Sequence, residues 1–170
     1  MKLALIGLGS VGRGVAHVVK NDPRFKIVAA ADSKSGAVNP DGLDIDRLLQ
    51  GKKETGRIGT PDWTAFRIAA EVDYDVLVEV TPTNAETGEP ALSTIKIALS
   101  RGRHVVTSNK GPISLYYREL ESLAEENGVA LRFEGTVAGA VPIINGIRNG
   151  LAGNKVKALF GVLNGTCNYI

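Results

Sequence analysis

The run Gly7-Leu8-Gly9-Ser10-Val11-Gly12 carries three glycines at the spacing Gly-x-Gly-x-x-Gly, and Asp32 follows Gly12 by about 20 residues. Residues of these types at these distances can hold a dinucleotide. Gly7 permits a tight turn, Gly9 lets backbone N–H groups approach a pyrophosphate, and Gly12 lets a helix pack closely on a strand. The helix N-terminus adds unpaired N–H donors and partial positive charge. The spacing alone is weak, because glycines are common in this chain. It becomes specific through context, since it follows a strand pattern and opens a helix. Asp32 suits ribose hydroxyls and repels a 2′-phosphate, which favours NAD. Lys34, Lys52 and Lys53 are nearby cations able to receive that phosphate, or else members of a solvated loop. Use of either NAD or NADP is expected.

Further along lie three polar clusters: Thr81-Pro82-Thr83, Ser108-Asn109-Lys110 and Glu134-Gly135-Thr136. Each ends an apolar run, where ligands bind in an open parallel sheet. Lys110 is their only cation, able to orient a carbonyl oxygen or offset developing charge, or else an exposed residue of an Asn-Lys-Gly turn. Glu134 reads equally as a base, a ligand or a strand-end carboxylate. His104 begins a strand and reads as a packed residue, and Cys167 as a small hydrophobe. His17 and His104 share no metal-ligand spacing, and one Cys excludes an intrachain disulfide framework and a multi-Cys zinc site.

The elements that must position these groups follow from periodicity. Strands are expected over Leu3–Ile6, Lys26–Ala31, Asp75–Val80, His104–Thr107 and Val129–Phe133. Helices are expected over Ser10–Lys20, with Val11, Val15, Val18 and Val19 on one side, and over Asp44–Leu49. Others run from Pro90 to about Arg101, over Ser114–Asn127 with Leu115, Leu120, Leu123 and Ala124 at helical spacing, and over Pro142–Leu151. Gly51–Gly56 reads as a Lys-rich loop and Lys155–Leu163 as extended. Strands alternating with helices make this an α/β chain with a Rossmann-like, doubly wound parallel sheet.

The chain has 170 residues, 44% of them hydrophobic and 22% charged, enough to bury a core and too apolar for disorder. Its 20 basic and 18 acidic side chains leave a net charge of +2 without a dense basic patch, so no nucleic-acid partner is expected. No apolar run reaches the roughly 18 residues of a membrane helix, no signal peptide is evident, and a cytoplasmic setting is expected.

Four stretches together resemble homoserine dehydrogenase in its short form without a regulatory domain. They are Gly7 to Gly14, Val105 to Pro112, Glu134 to Pro142 and Gly161 to Ile170. The resemblance implies interconversion of aspartate 4-semialdehyde and homoserine with NAD or NADP. It implies that Leu8, Ser10 and Val11 touch the cofactor through the turn, that Thr81 lies along its nicotinamide side, and that Ser108 and Lys110 face nicotinamide and substrate, with Lys110 catalytic. It further implies that Glu134, Val137, Gly139 and Val141 hold a structural sodium ion through backbone carbonyls, and that Gly165 and Thr166 approach the substrate. Residues 1–140 would form the dinucleotide-binding domain. Residues 141–170 would begin an α+β substrate and dimerisation domain, truncated before the Glu, Asp and second Lys that the family uses for homoserine and the proton. The 170 residues alone would then bind cofactor with little or no turnover, and the complete protein would be a homodimer. An aspartate dehydrogenase and a non-catalytic NAD(P)-binding domain are the competing expectations.

Overall fold

A computed structural model describes residues 1–139 and 141–161. Among the described residues six strands form one sheet: β1 (Lys2–Ile6), β2 (Lys26–Ala31), β3 (Gly36–Val38), β4 (Val76–Glu79), β5 (His104–Thr107) and β6 (Leu131–Arg132). Their order is β3-β2-β1-β4-β5-β6, and every pairing is parallel except β2 with β3. Both faces are buried, as strand alternation requires. Ala4 and Ile6 of β1 join one apolar cluster and Leu3 and Leu5 join the other.

Helices cover both faces. α1 (Ser10–Val19) and α2 (Ile45–Thr55) lie over the face of Leu3 and Leu5. α3 (Ala65–Glu71), α4 (Ala91–Ser100) and α5 (Lys110–Glu126) lie over the other. The inward side of α1 is narrower than the valine pattern suggests. Gly12 and Ala16 are buried, with Val15 and Val19 packed beside them. Val11 and Val18 are exposed, because a seven-residue step returns them together to the helix's other seam.

The region between residues 33 and 64 differs most from expectation. Asp44 caps α2 by accepting from the Arg47 N–H (3.0 Å), and Gly56 ends the helix in the left-handed region at φ 72°. Gly51–Thr55 is therefore the last part of a helix, not a loop, and Lys52 and Lys53 ride on it. β3 is too short for periodicity to reveal, and α3 begins at the Thr64 cap. α5 starts at Lys110 instead of Ser114. It breaks at Tyr116 (φ −132°, ψ 22°). Leu115 is exposed, because steps of five and nine residues turn it about 140° and 180° away from the buried Leu120 and Ala124 even on a regular helix.

Beyond β6 come a 3₁₀ turn at Glu134–Thr136, a short α6 (Ile143–Asn145) and a π turn at Gly146–Gly150. Arg148 fastens this segment to α5. Its guanidinium donates to Glu121 (2.8 Å) and to the Tyr117 hydroxyl, which itself donates to Glu121. Residues 155–161 have no regular structure and pair with no described strand, so the expected extension is no strand over that stretch; residues 162 and 163 lie outside the described residues. Leu159 and Phe160 are exposed there, Phe160 at 92%. Among the described residues, no helix is long and apolar enough to cross a membrane.

Candidate active site

The strand order reverses between β1 and β4, the place where an open parallel sheet leaves a crevice beyond its strand ends. The glycine turn occupies one side of it. Gly7 takes φ 102°, and a Cβ there would lie 2.7 Å from the Val80 carbonyl oxygen. A Cβ on Gly12 would lie 1.9 Å from the Gly7 carbonyl oxygen, so α1 sits directly on the end of β1. A Cβ on Gly9 would meet nothing within 4 Å. The turn is thus closed at its first and third glycines and open at its second, the shape a pyrophosphate requires. No side chain caps α1, whose first internal bond runs from the Arg13 N–H to the Gly9 carbonyl (3.0 Å). The amides of Ser10, Val11 and Gly12 precede it, the donors a helix start leaves for a ligand. The side chain of Leu8 is buried in the core, so only its backbone faces the crevice.

Asp32 stands at the end of β2. Its carboxylate accepts from the Lys34 and Ser35 amides (both 2.9 Å) and forms an ion pair with Lys52, brought over by α2. Burial opposes the charge on Asp32, but Lys52 and the two amides outweigh it and hold the carboxyl below its ordinary range. Of the three candidate lysines, only Lys52 reaches Asp32 with its side chain. Lys34 contributes its backbone, and Lys53 is exposed on α2.

The three polar clusters converge. The Ser108 N–H donates to the Glu79 carbonyl (3.3 Å), the Asn109 side-chain amide donates to the Thr81 carbonyl (3.2 Å), and the Lys110 N–H donates to the Thr83 hydroxyl (3.3 Å). A Cβ on Gly135 would lie 3.2 Å from the Ser108 Cβ, which brings the third cluster alongside. Lys110 is the first residue of α5, not part of a free turn, and among the described residues its exposed ammonium has no ion-pair partner. His104 begins β5, at the end of the strands away from the crevice. It is exposed rather than packed, and its Nδ1 accepts from the Ala130 N–H (3.0 Å).

Glu134 sits in the 3₁₀ turn. Its carboxylate accepts from the Ile144 and Asn145 amides (3.0 and 2.9 Å), so it caps α6 and is not a free base. Val137, Ala138 and Gly139 continue the loop, with Ala138 (φ 52°) and Gly139 (φ 62°) both left-handed. Among the described residues no group of three His, Cys, Asp or Glu side chains could hold a metal. Gly165, Thr166 and Cys167 lie outside the described residues.

One residue that the motifs do not flag is Glu79, fully buried at the end of β4. It accepts from the Thr81 N–H (2.9 Å) and hydroxyl through Oε1 and from the Thr107 hydroxyl (3.1 Å) through Oε2. Burial pushes its carboxyl above the ordinary range, against the pull of these donors. The signal was one acid inside the apolar run Val76-Leu77-Val78-Glu79-Val80.

A doubly wound sheet with an open-centred glycine turn, an acid at the end of β2 and polar clusters beyond β4 and β5 defines an NAD(P)-binding domain of the oxidoreductase class. Comparison with known proteins narrows this. The family model described as "Homoserine dehydrogenase, NAD binding domain" matches residues 7–134, and one described as "Homoserine dehydrogenase" matches residues 142–170. The chain belongs to the homoserine dehydrogenase family, whose members are NAD(P)-dependent oxidoreductases. It is 42% identical to a homoserine dehydrogenase of Methanocaldococcus jannaschii, over 100% of this chain and 54% of that protein. It is 39% identical to an NAD(+)-dependent homoserine dehydrogenase of Pseudomonas canavaninivorans, over 99% of this chain and 52% of that protein. A hyperthermophilic archaeal homoserine dehydrogenase solved in complex with NADPH superposes with a TM-score of 0.77 at 29% identity, covering 89% of this chain and 49% of that one. The chain thus spans about half the length of these relatives.

Proposed function

We propose that this chain is the cofactor-binding half of a homoserine dehydrogenase, with residues 1–140 as the dinucleotide domain and 141–170 as the start of the substrate and dimerisation domain. The observation that carries the reading is the convergence of the Gly7–Gly12 turn, Thr81 and Lys110 on one crevice, with Gly9 leaving its centre open. Gly7, Leu8, Gly9, Ser10, Val11 and Gly12 would hold the pyrophosphate through the turn, Asp32 the adenosine ribose, and Thr81 and Ser108 the nicotinamide side. A bound nicotinamide supplies the hydride acceptor and donor. Lys110 then donates a hydrogen bond to the substrate oxygen, which carries the developing negative charge as the primary alcohol becomes the aldehyde. The released proton passes to a residue outside these 170. The complete protein is proposed to act in the cytoplasm as a homodimer.

The side-by-side placement of Asp32 and Lys52 supports use of both cofactors, because a carboxylate suits a 2′-hydroxyl and an ammonium a 2′-phosphate. The sodium ion remains a proposal on Glu134, Val137, Gly139 and Val141. The Glu134 and Val141 carbonyls already accept from the Val137 and Ile143 amides (3.3 and 2.8 Å), which leaves each a second lone pair for a cation. Gly165 and Thr166 are proposed to reach the substrate.

The test is homoserine-dependent reduction of NAD and NADP, with cofactor binding measured in the same samples. The 170-residue chain should bind either cofactor without appreciable turnover. In a full-length protein, Lys110→Ala should lower turnover by at least about tenfold and spare cofactor affinity; unchanged turnover removes Lys110 from the chemistry.

A further inference from the structure

We infer that Glu79 is a positioning residue: its buried carboxylate ties the loop after β4 to the start of α5, and so sets Thr81 and Lys110 on opposite lips of the nicotinamide side of the crevice. The inference rests on the reading above, which gives Thr81 the nicotinamide side and Lys110 the substrate oxygen.

The connections form a closed network. On one side, Oε1 of Glu79 takes both donors of Thr81, its N–H and its hydroxyl. On the other, Oε2 takes the Thr107 hydroxyl, and the same hydroxyl oxygen accepts the Asn109 N–H (3.0 Å). Asn109 closes the circuit. Its side-chain amide donates back to the Thr81 carbonyl, and its Oδ1 accepts from the Gly111 N–H (3.2 Å), capping α5 one residue beyond Lys110. Glu79, Thr107 and Asn109 are all buried, so water does not substitute for a missing partner. The Thr81 N–H and hydroxyl meet one oxygen of Glu79 and the Thr107 hydroxyl meets the other, so both ends of its carboxyl group are engaged. A buried polar side chain is expensive to keep without partners, and the partners of Glu79 lie in the two segments that border the crevice.

Two substitutions separate positioning from mere folding. In Glu79→Gln the amide oxygen can still accept from Thr81, and the amide N–H₂ can donate to Thr107, whose oxygen has a free lone pair once its own proton turns away. Glu79→Leu removes every acceptor. The experiment uses the 170-residue chain with NADH and NADPH, and with ADP-ribose and 2′-phospho-ADP-ribose, the same molecules without the nicotinamide. Affinities and the ¹H–¹⁵N shifts of the Thr81 and Lys110 amides are recorded. In the unsubstituted chain, only the ring-bearing molecules should move those two amides. Glu79→Gln should keep that response. Glu79→Leu should lose it, with affinity for the ring-bearing molecules falling by about tenfold and that for the ring-less ones unchanged. If Glu79→Leu does not fold, Thr107→Val serves. It removes the hydroxyl at nearly constant shape, and should abolish the Lys110 response while leaving that of Thr81. A folded Glu79→Leu or Thr107→Val chain with the full response at Lys110 overturns the inference. An unsubstituted chain whose Thr81 and Lys110 ignore the nicotinamide overturns the underlying reading first, and Glu79's role with it.

Discussion

Replacing Gly9 with Ala separates the fold from its ligand. Gly9 has extended backbone angles (φ −75°, ψ −158°) that any residue can adopt, and a Cβ there touches nothing within 4 Å. Removing glycine's freedom in the unfolded chain should stabilise the protein by about 0.4–1 kcal/mol, a rise of about 1–4 °C in Tm for a chain of this size. The same methyl group stands where a pyrophosphate must approach the first amides of α1, so affinity for NADH and NADPH should fall by at least about tenfold. Gly12→Ala works the other way. Its Cβ would lie 1.9 Å from the oxygen and 2.8 Å from the carbon of the Gly7 carbonyl, backbone atoms that cannot yield unless α1 lifts from β1. Overpacking of this kind costs about 1–3 kcal/mol or more, a fall in Tm of about 2–12 °C. Scanning calorimetry and fluorescence titration on both variants provide the assay. If Gly9→Ala binds both dinucleotides as the unsubstituted chain does, the phosphates do not lie on this turn and the argument for the whole crevice fails.

Asp32 is held below its ordinary range, so it stays charged to lower pH in the folded chain than in the unfolded one. Its contribution to stability is complete above about pH 4 and is lost as pH falls through the depressed folded value. Urea midpoints should accordingly drop more steeply below pH 4 for the unsubstituted chain than for Asp32→Asn, and parallel curves would remove the Lys52 pair from the account. Lys52→Ala should weaken NADPH by about tenfold and NADH by much less; equal losses would mean that Lys52 does not meet the 2′-phosphate. Burial, and then the hydrogen bond to Glu121, push the Tyr117 hydroxyl up to about 12. The difference in alkaline absorbance titration between the unsubstituted chain and Tyr117→Phe should therefore centre near 12. A difference centred instead near the ordinary value of about 10 would mean that the clasp from Arg148 through Tyr117 to Glu121 does not form.

What the amino-acid pattern made legible was whatever depended on one element at a time. The buried strands declared themselves as apolar runs, and the glycine turn as a spacing in a strand-to-helix context. α2 was half seen, since Asp44 marks its start, but the lysines and the glycine at position 51 read as loop. Only the left-handed Gly56 shows where the helix stops. β3 was not legible, because three residues, Gly36, Ala37 and Val38, cannot display a period, and their place depends on pairing with β2. The site divides along the same line. Gly7, Asp32, Thr81 and Lys110 each follow a strand and could be found one by one. That Lys52 would meet Asp32 required α2 to fold back over β2, and that Thr81 would be tied to Asn109 required β4 and β5 to lie side by side. Glu79 is the extreme case. Along the chain it is a single break in an apolar strand, easily read as a strand end exposed to water. Only the parallel pairing that brings Glu79 opposite Thr107 turns that break into the buried junction on which the crevice is built. A charged residue that ends an otherwise fully apolar central strand is therefore better read as an anchor for the loops above it than as the point where burial stops.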